Sequence, residues 1–413
     1  MAKRHHPAQS ATSANLIFFM RRAPCPDCSY RKVNHTLDKV DELNHVLLSL
    51  ILFHSLWRKI VFLAGDWGIR ELTRLALGLK ILRKQPDSNR SELYNRSLVI
   101  VDEAKKQGIS IVPLVNTNGR YTHHFSYQKR GRTYFFDTLP IRLRWRPVDY
   151  LLIDDKLRLK RFLRKHGFPY AHGQMFVSKK AGCHYGVAQS GPLVVKPRYG
   201  SLSNHVTVNI QTETELCKAI ELAKQYKNFY LIEQYIPGDV YRASVIHGAI
   251  FTVKRLPPAI VGDGRQTIEQ LIGEKNTHPF RASPQEKNST LHTIVIDDRL
   301  RGQIARAGFS LQSVVPLGTT IGLGDKVNLS SGCDIEEVTE TICAENKKMF
   351  LRLSELLRTD ILGIDFICRD VSHPLVDQKA AIIECNSLPY IDMHHFPSIG
   401  NPQPVAARIV EHL

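Results

Sequence analysis

The sequence predicts an α/β or α+β protein, because strand-like segments alternate with single helices along much of the chain and hairpin-like segments lie among them. Strands that are separated by helices and mixed with hairpins are typical of these two fold classes. A hydrophobic content of 43% and a charged content of 23% agree with a globular protein. With 413 residues, the chain is long enough for two or three domains.

The first 150 residues are predicted to contain a flexible tail and a small domain. Residues 1–34 mix His, Pro, Ser and Arg without a helical or strand period, so we assign them to the tail. From His35 to about Arg83, apolar residues recur at three- and four-residue steps, which predicts helices. The basic domain over residues 35–150 is therefore expected to begin with helices and to end with further elements: a helix over 92–106, a strand over 109–114 and a hairpin that turns at Lys129–Gly131.

Residues 151–413 are predicted to form one larger domain. Its first helix, over 155–166, is followed by Gly167 and then Pro169, which is a common stop signal. The later elements follow in chain order: strand 192–196, helix 213–224, strand 229–233, paired strands over 241–254, a helix that starts at Asp297–Asp298, helix 344–357, and strands 363–368 and 380–385.

Basic residues are concentrated in the first third of the chain. Residues 1–150 hold 25 Lys and Arg against 12 Asp and Glu, whereas the remainder is nearly balanced. Such an asymmetry is found on surfaces that bind nucleic acid. However, the sequence has no zinc-finger spacing, recognition helix or aromatic stacking motif. A role in solubility is therefore favoured, and a nucleic-acid-associated protein is retained only as the weakest of three hypotheses.

The sequence does not predict membrane insertion. The most apolar stretch, Val46–Trp57, is followed by Arg58 and Lys59 and falls well short of the about 20 residues that span a bilayer, so it predicts a buried helix. The apolar run Leu16–Met20 is too short for a signal peptide. Eight cysteines without the spacing of a disulfide framework favour a reducing compartment, so a cytoplasmic protein is expected.

Cys25 and Cys28 form a single Cys-x-x-Cys pair. A zinc ion would need two further ligands. The nearby histidines His5, His6 and His35 show no spacing that selects them as those ligands. From the sequence alone, a zinc site is not expected.

Polar side chains interrupt two apolar strands near the C-terminus. Asp365 lies within Leu-Gly-Ile-Asp-Phe-Ile, and Glu384 and Asn386 lie two residues apart in the next strand. Side chains at positions i and i+2 of a strand point to the same face, so Glu384 and Asn386 share one side. If the two strands pair, all three oxygen-bearing side chains converge, and such ligands favour Mg²⁺ or Mn²⁺. The alternative is a strand end that reaches solvent.

Two lysines precede these acidic strands. Lys156 opens a predicted helix, and Lys196 ends a predicted strand just before a loop. Lysines together with a divalent cation are what a triphosphate requires, because both neutralise phosphate oxygens. The chain contains no GxxxxGK[ST] phosphate-binding loop. The pattern therefore indicates a triphosphate site that is not of the P-loop type.

Several segments together resemble the ATP-grasp ligases: DKLRLKRFL, VVKP, LIEQYIPGDVYR, KRLPPAIVGDG, LGIDFI and IIECN. The resemblance covers roughly residues 151–413 and is greatest to the ATP-grasp portion of cyanophycin synthetases and bifunctional glutathione synthetases. It implies an α+β ATP-grasp fold, in which two α+β lobes clamp ATP. The local sequence patterns predict that a smaller and mostly helical N-terminal region precedes this fold.

The resemblance also implies roles for individual residues. Lys156 and Lys196 would hold the ATP phosphates, and Asp239 would accept the ribose hydroxyls. Three residues would form the hinge that reads adenine: Glu233, Gln234 and Ile236. Three others would bind the Mg²⁺ or Mn²⁺ ion: Asp365, Glu384 and Asn386.

The implied activity is the ADP-forming ligation of a carboxylate to an amine, with an amino acid or a peptide as substrate. Arg255 is the candidate catalytic residue, with a structural salt bridge as its alternative role. The loop after the metal ligands would line the substrate side through Ser387, Tyr390 and His394. Relatives usually have a glycine-rich loop after the second lysine, where this chain has only Gly200. That departure motivates a second hypothesis, a catalytically weak ATP-binding scaffold; a homo-oligomer is compatible with either.

Overall fold

The computed structural model describes residues 23–28, 31–52, 71–87, 89–140, 153–200, 203–283, 285–324, 327 and 329–413. The chain divides into two compact units. The first unit comprises Met1–Leu48 and Gln174–Glu233, and the second comprises Ser49–Gly173 and Gln234–Leu413. The sequence-based division into residues 1–34, 35–150 and 151–413 remains a prediction.

The strands in chain order are β1 (Ala23–Cys25), β2 (Arg31–Val33), β3 (Leu82–Lys84), β4 (Ile111–Asn116), β5 (Tyr121–Lys129), β6 (Arg132–Asp137), β7 (Gly173–Phe176), β8 (Leu193–Pro197), β9 (Thr207–Ile210), β10 (Tyr230–Gln234), β11 (Asp239–Ile246), β12 (Ala249–Leu256), β13 (Ala259–Val261), β14 (Arg281–Ala282), β15 (Leu291–His292), β16 (Thr320–Gly322), β17 (Asp334–Glu337), β18 (Ile361–Cys368) and β19 (Ala381–Asn386).

The helices in chain order are α1 (His35–Leu52), α2 (71–78), α3 (Asn95–Lys106), α4 (Lys156–Lys165), α5 (Lys179–Val187), α6 (Glu213–Tyr226), α7 (Ile268–Asn276), α8 (Asp298–Arg306), α9 (Ala344–Leu356) and α10 (Val405–Val410). Short 3₁₀ turns lie between them, including Pro26–Cys28 and Ile391–His394.

The first unit is built on a four-stranded sheet with the order β7-β10-β8-β9. Helix α6 starts with a capping box, in which Thr212 accepts a hydrogen bond from the Glu215 backbone and Glu215 accepts one from the Thr212 backbone. The core of this unit consists of apolar side chains from the sheet and from α6, among them Val195, Ile220 and Ile232, each fully buried. Successive side chains of a strand point to opposite faces of the sheet, so the residues between these buried ones project from the other face.

The second unit contains two sheets with more than two strands. One has five strands in the order β17-β12-β11-β18-β19, and the other has four in the order β3-β4-β5-β6. The five-stranded sheet is antiparallel throughout, and its core includes Leu163 of α4, Phe350 of α9 and Phe366 of β18. The four-stranded sheet shares a second core with α3 and α10, where Ile100 and Phe125 are fully buried.

The structure confirms most of the expected elements. The hairpin β5–β6 turns at Arg130–Gly131, and Asp297 caps the start of α8 as expected. One boundary was wrong: Leu82–Lys84 forms a strand paired with β4 rather than the end of a helix, because cross-strand pairing overrides a local helical period there. The predicted burial of residues 46–57 lies outside the described side chains. Within the described ranges, no helix has the length and apolar character needed to span a membrane.

Candidate active site

Three charged residues form a row across the five-stranded sheet of the second unit. The strand register places Arg242 of β11 opposite Asp365 of β18, and Asp365 opposite Glu384 of β19. Residues that lie opposite each other on neighbouring strands project to the same face of the sheet and interact. The predicted pairing of the two acidic strands is therefore confirmed, and it brings a carboxylate from each strand to one place.

Asp365 is buried and held by two arginines. Arg242 donates from Nε to Oδ1 and from Nη2 to Oδ2, the latter over 2.9 Å, and Nη2 of Arg255 lies 3.2 Å from Oδ1. Burial raises the pKa of the Asp365 carboxyl, but the positive charges of Arg242 and Arg255 outweigh burial and lower that pKa below its ordinary value. Asp365 is therefore a permanent anion at neutral pH that also fixes the position of Arg255.

Glu384 is paired with the lysine that opens α4. Nζ of Lys156 lies 3.2 Å from Oε1 of Glu384, and the Lys156 side chain is 8% exposed while that of Glu384 is 23% exposed. Helix α4 begins at Lys156 because the Asp155 side chain accepts hydrogen bonds from the backbone N–H groups of the first turn. This cap holds Lys156 at the helix start, so the lysine and the glutamate are brought together by the α4–β19 contact.

Asn386 lies two residues beyond Glu384 and opposite Gly363. Its Nδ2 atom is buried and has no hydrogen-bond partner among the described residues. A Cβ atom on Gly363 would lie 2.9 Å from Nη1 of Arg242 and 2.9 Å from Cβ of Pro389, so only glycine leaves room for the arginine beside the carboxamide. The Nδ2 donor of Asn386 therefore lacks an acceptor among the described residues, close to the point where the acidic residues meet.

These residues fit a hard divalent cation. Glu384 and Asn386 offer oxygen ligands from one face of β19, and Asp365 offers a third from the neighbouring strand β18. The unpartnered atom of Asn386 is the donor Nδ2, which an acceptor oxygen of a bound ligand would satisfy, whereas a cation would bind the carboxamide oxygen. Asp365 would have to share its oxygens with the two arginines. The roles of all three residues as metal ligands remain predictions.

The loop after β19 places its three predicted substrate residues in different surroundings. Ser387 donates from its backbone N and from Oγ to Asp154, over 3.2 and 2.8 Å. The ring of Tyr390 lies 4.5 Å below the guanidinium of Arg96. His394 is fully buried, with Nδ1 at 3.0 Å from Glu337 and Nε2 at 2.9 Å from Ser244 Oγ. His394 thus has no exposed surface, whereas Ser387 and Tyr390 lie next to charged groups.

The first unit contains its own buried lysine–carboxylate pair. Nζ of Lys196 lies 2.9 Å from Oε2 of Glu233, and both side chains are less than 10% exposed. The pair joins β8 to β10, which are neighbours in the four-stranded sheet. The opposite charges hold both side chains in place, so this pair presents one lysine and one carboxylate with fixed positions.

The other predicted nucleotide residues belong to the second unit. Gln234 is exposed and its backbone N donates to the carbonyl of His172 over 2.8 Å. Ile236 is 7% exposed, and Asp239 pairs with Lys254 over 2.7 Å. Their roles towards adenine and ribose remain predictions.

Arg242 is the site residue that the sequence analysis missed. It lies in the apolar strand Asp239–Ile246, and a buried charge in such a strand requires a partner. The requirement of a buried charge for a partner could therefore have identified Arg242 from the sequence. The partner, Asp365, is 123 residues away, and only the sheet register shows that the two residues meet.

The chain is similar to curated proteins over most of its length. It is 31% identical to the cyanophycin synthetase of Trichormus variabilis over 320 residues, which are 76% of this chain and 34% of that protein. It is 27% identical to the glutathione biosynthesis bifunctional protein of Streptococcus mutans over 299 residues, which are 71% of this chain and 38% of that protein. The chain thus spans little more than a third of these relatives. No protein-family profile matches it.

The fold is also similar to a solved structure. The bifunctional glutathione synthetase from Pasteurella multocida matches with a TM-score of 0.60 and 20% sequence identity, over 78% of this chain and 43% of that chain. This match confirms the expected α+β ATP-grasp fold. Together with the similarity to cyanophycin synthetases over 76% of the chain, it shows that the chain has the fold of the ATP-grasp proteins.

Proposed function

We propose that the chain is an ATP-dependent carboxylate–amine ligase that forms an amide bond and releases ADP and phosphate. The observation that supports this most is the arrangement of Lys156, Arg255, Asp365, Glu384 and Asn386 around one place on the sheet of the second unit. The two curated relatives are named for the synthesis of cyanophycin and of glutathione. We therefore take an amino acid or a peptide as the substrate class.

Two lysines would hold the ATP phosphates in this proposal. Lys156 and Lys196 are each paired with a carboxylate, which holds the ammonium group in a defined position. Phosphate oxygens are strong acceptors for such groups. Glu233 supplies a fixed carboxylate in the hinge predicted to read the adenine amino group.

Glu384 and Asn386, with Asp365, are the residues that would hold Mg²⁺ or Mn²⁺. The ion supplies charge neutralisation of the phosphate oxygens. The same residues have a second task, because Asp365 orients Arg255 and Glu384 orients Lys156. The positively charged groups are thereby fixed before the substrate arrives, which is the condition for electrostatic catalysis.

Arg255 is the residue proposed to stabilise the reacting groups. In the first step a carboxylate oxygen of the substrate attacks the γ-phosphorus of ATP, and the bond to the β-phosphate oxygen breaks, which leaves ADP and an acyl phosphate. In the second step the amine attacks the acyl carbon, phosphate leaves with its electron pair, and the amine proton is lost. Arg255 would neutralise the acyl phosphate and then the tetrahedral oxyanion.

A weak ATP-binding scaffold is the second candidate function. The loop after Lys196 contains only Gly200 where relatives have several glycines, which favours this candidate. Release of phosphate from ATP that increases on addition of an amino acid or a dipeptide would support the ligase. Nucleotide binding without any such release, across a screen of amino acids and dipeptides, would support the scaffold.

The eight cysteines form no disulfides, so we place either activity in a reducing compartment such as the cytoplasm.

The two lysines should act on ATP rather than on the second substrate. Replacing Lys156 or Lys196 by Met removes a charge from the triphosphate, so the apparent KM for ATP should rise, or turnover fall, at least about tenfold, which corresponds to about 1.4 kcal/mol. Steady-state kinetics with ATP varied at a fixed substrate concentration measures the change. Lys180→Met, at an exposed position of α5, is the matched control. Unchanged ATP kinetics in both Lys156→Met and Lys196→Met would contradict the proposed site.

An isotope experiment tests the chemistry itself. Oxygen-18 in the substrate carboxylate should appear in the released phosphate, because the acyl phosphate transfers one carboxylate oxygen to phosphorus. Mass spectrometry of the phosphate and of the nucleotide product gives the answer. Label in AMP, or label retained wholly in the product, would exclude the acyl-phosphate route even though the fold is that of an ATP-grasp protein.

A further inference from the structure

Four side chains with soft or imidazole ligand atoms converge in the first unit. They are Cys25, Cys28, His35 and His205, and their ligand atoms all lie within 4.8 Å of one another. Cys28 and His205 are buried, and the other two are half-buried. The proposed ligase chemistry uses none of these four residues.

The local structure explains why three of the four residues lie together. Strands β1 and β2 pair antiparallel, with Cys25 at the end of β1 and Cys28 in the 3₁₀ turn that follows. His35 is the first residue of α1, and the Asn34 side chain accepts hydrogen bonds from the next backbone N–H groups, which fixes the start of the helix. The turn and the helix start thus present two thiols and one imidazole to the same space.

The sulfur–nitrogen separations fit a shared tetrahedral ion. Nε2 of His205 lies 3.5 Å from Sγ of Cys25 and 3.4 Å from Sγ of Cys28. Zinc lies about 2.3 Å from a cysteine sulfur and about 2.0–2.1 Å from a histidine nitrogen, so two such ligands at a tetrahedral angle are roughly 3.5 Å apart. His205 therefore already has, with both cysteine sulfurs, the spacing that a shared zinc ion would impose.

Both histidines present the same ring nitrogen to the cluster. Nδ1 of His35 lies 3.0 Å from Oδ2 of Asp38, and Nδ1 of His205 lies 2.9 Å from the carbonyl of Leu222. With Nδ1 donating to these oxygens, Nε2 carries the lone pair. Nε2 of His35 is buried and has no hydrogen-bond partner among the described residues. A carboxylate or a carbonyl behind the second nitrogen is the usual support of a zinc-bound histidine.

We propose that Cys25, Cys28, His35 and His205 bind one structural Zn²⁺ ion. Two thiolates with two imidazoles in a tetrahedral arrangement select zinc over magnesium or calcium, which prefer oxygen. Four protein ligands leave no open position, so the site is structural rather than catalytic. A Cys25–Cys28 disulfide would leave both histidines without a role, and both thiols are free.

The ion would connect the N-terminal segment to the chain that follows Lys196. Three ligands lie in residues 25–35, and the fourth, His205, lies nine residues after Lys196. Tyr226 stacks on the His205 ring at 5.1 Å, and a Cβ atom on Gly200 would lie 2.8 Å from Cε1 of Tyr226. The single glycine of this loop thus makes room for the residue that packs against a zinc ligand.

A second set of contacts holds the same segment. Oε2 of the buried Glu42 on α1 accepts hydrogen bonds from the backbone N–H groups of Asn228 and Phe229, over 2.6 and 3.4 Å. Nζ of Lys227 donates to the carbonyl of Asp38 over 2.7 Å. These contacts order α1 on the first unit without the ion. Loss of zinc should therefore release the turn over residues 25–28 and the loop around His205 before it unfolds the unit.

Metal analysis of the full-length protein tests the proposal. Purified protein dialysed against zinc-free buffer should retain one Zn²⁺ per chain by plasma mass spectrometry. Cys28→Ser and His205→Ala should lose it, whereas Cys343→Ser, which removes a half-buried thiol at the start of α9, should retain it. Absence of zinc from the wild type after growth with added zinc, or its retention in both ligand variants, would overturn the assignment.

The spectrum of bound cobalt tests the ligand set on the wild-type protein, so this part of the test does not require that any variant folds. The wild-type protein, stripped by a chelator and loaded with Co²⁺, should show a thiolate-to-cobalt charge-transfer band and the intense visible bands of tetrahedral cobalt. Asp38→Asn should weaken zinc binding roughly 10–100-fold in a chelator competition while the cobalt spectrum keeps its shape, because Asp38 only orients His35. Asp41→Asn, on the same helix, is the matched control. An octahedral cobalt spectrum, or equal affinities for all three proteins, would contradict the proposed ligand set.

Discussion

Glu384→Gln should abolish ATP cleavage while the protein remains folded. The substitution keeps the size of the side chain but removes the negative charge that faces Lys156 and that is predicted to bind the divalent cation. A neutral amide oxygen binds Mg²⁺ more weakly than a carboxylate oxygen, because it carries no full negative charge. The Lys156 side chain is 8% exposed and that of Glu384 23%. The amide oxygen of the variant can still accept a hydrogen bond from Lys156, so the loss of stability should stay below the about 3–5 kcal/mol that breaking a buried ion pair costs. Activity and stability should therefore separate.

The measurement is phosphate release at saturating ATP, together with urea unfolding of the same preparation. Glu355→Gln, at an exposed position of α9, is the control and should retain full turnover. Normal turnover by Glu384→Gln would show that the carboxylates of β18 and β19 do not form the metal site. A large fall in stability of Glu384→Gln would show that this residue is needed for folding rather than for nucleotide chemistry.

Arg242→Met should cause the largest loss of stability of any single change considered for this protein. Arg242 is 4% exposed and binds both oxygens of Asp365. Removing one partner of a buried ion pair leaves an uncompensated charge, which typically destabilises a protein by about 3–5 kcal/mol. Arg255 remains near Asp365 and limits the loss, so the lower end of this range is expected.

Urea unfolding with a matched control distinguishes this effect from a general cost of losing an arginine. Arg74→Met removes the partner of Glu71 from an exposed pair and should change stability by about 1 kcal/mol or less. The double variant Arg242→Met with Asp365→Asn should recover part of the loss, because no unpaired anion then remains. Equal stability of Arg242→Met and wild type would show that the Arg242–Asp365 pair is not buried in the folded protein.

Sequence patterns predicted the acidic part of the candidate site because two local rules define it. Alternation along a strand put Glu384 and Asn386 on one side, and their convergence with Asp365 depended only on the pairing of β18 with β19, which the register shows. Helix starts were equally local: Asp155 and Asp297 both cap the helices that follow them. Such features depend on neighbouring residues and can be derived without the rest of the chain.

Contacts between distant segments could not be predicted in this way. Cys28 and His205 are 177 residues apart, and no periodicity connects the Cys-x-x-Cys turn to a histidine in a later loop. His35 is close to that turn in sequence, but no local pattern identifies it as a zinc ligand. The burial of His394 between Glu337 and Ser244 likewise depends on how β11, β17 and the last loop pack together. The tertiary fold determines these contacts, so only the structure shows them.

The two arginines around Asp365 also give the folding free energy a definite dependence on pH. Because the pKa of Asp365 is lower in the folded protein than its ordinary value, its ion pairs contribute fully above about pH 3.9, the value in an unfolded chain, and are lost as the pH falls through the lower folded-state pKa. Without Arg242, the largest of the positive charges that lower this pKa is gone, so the Asp365 carboxyl takes up a proton at a higher pH than in the wild type. The stability difference between the two proteins is therefore widest near neutral pH and narrows on acidification. The pH at which Asp365 takes up its proton thus measures how strongly its arginine partners stabilise the anion, and no substrate is needed for that measurement.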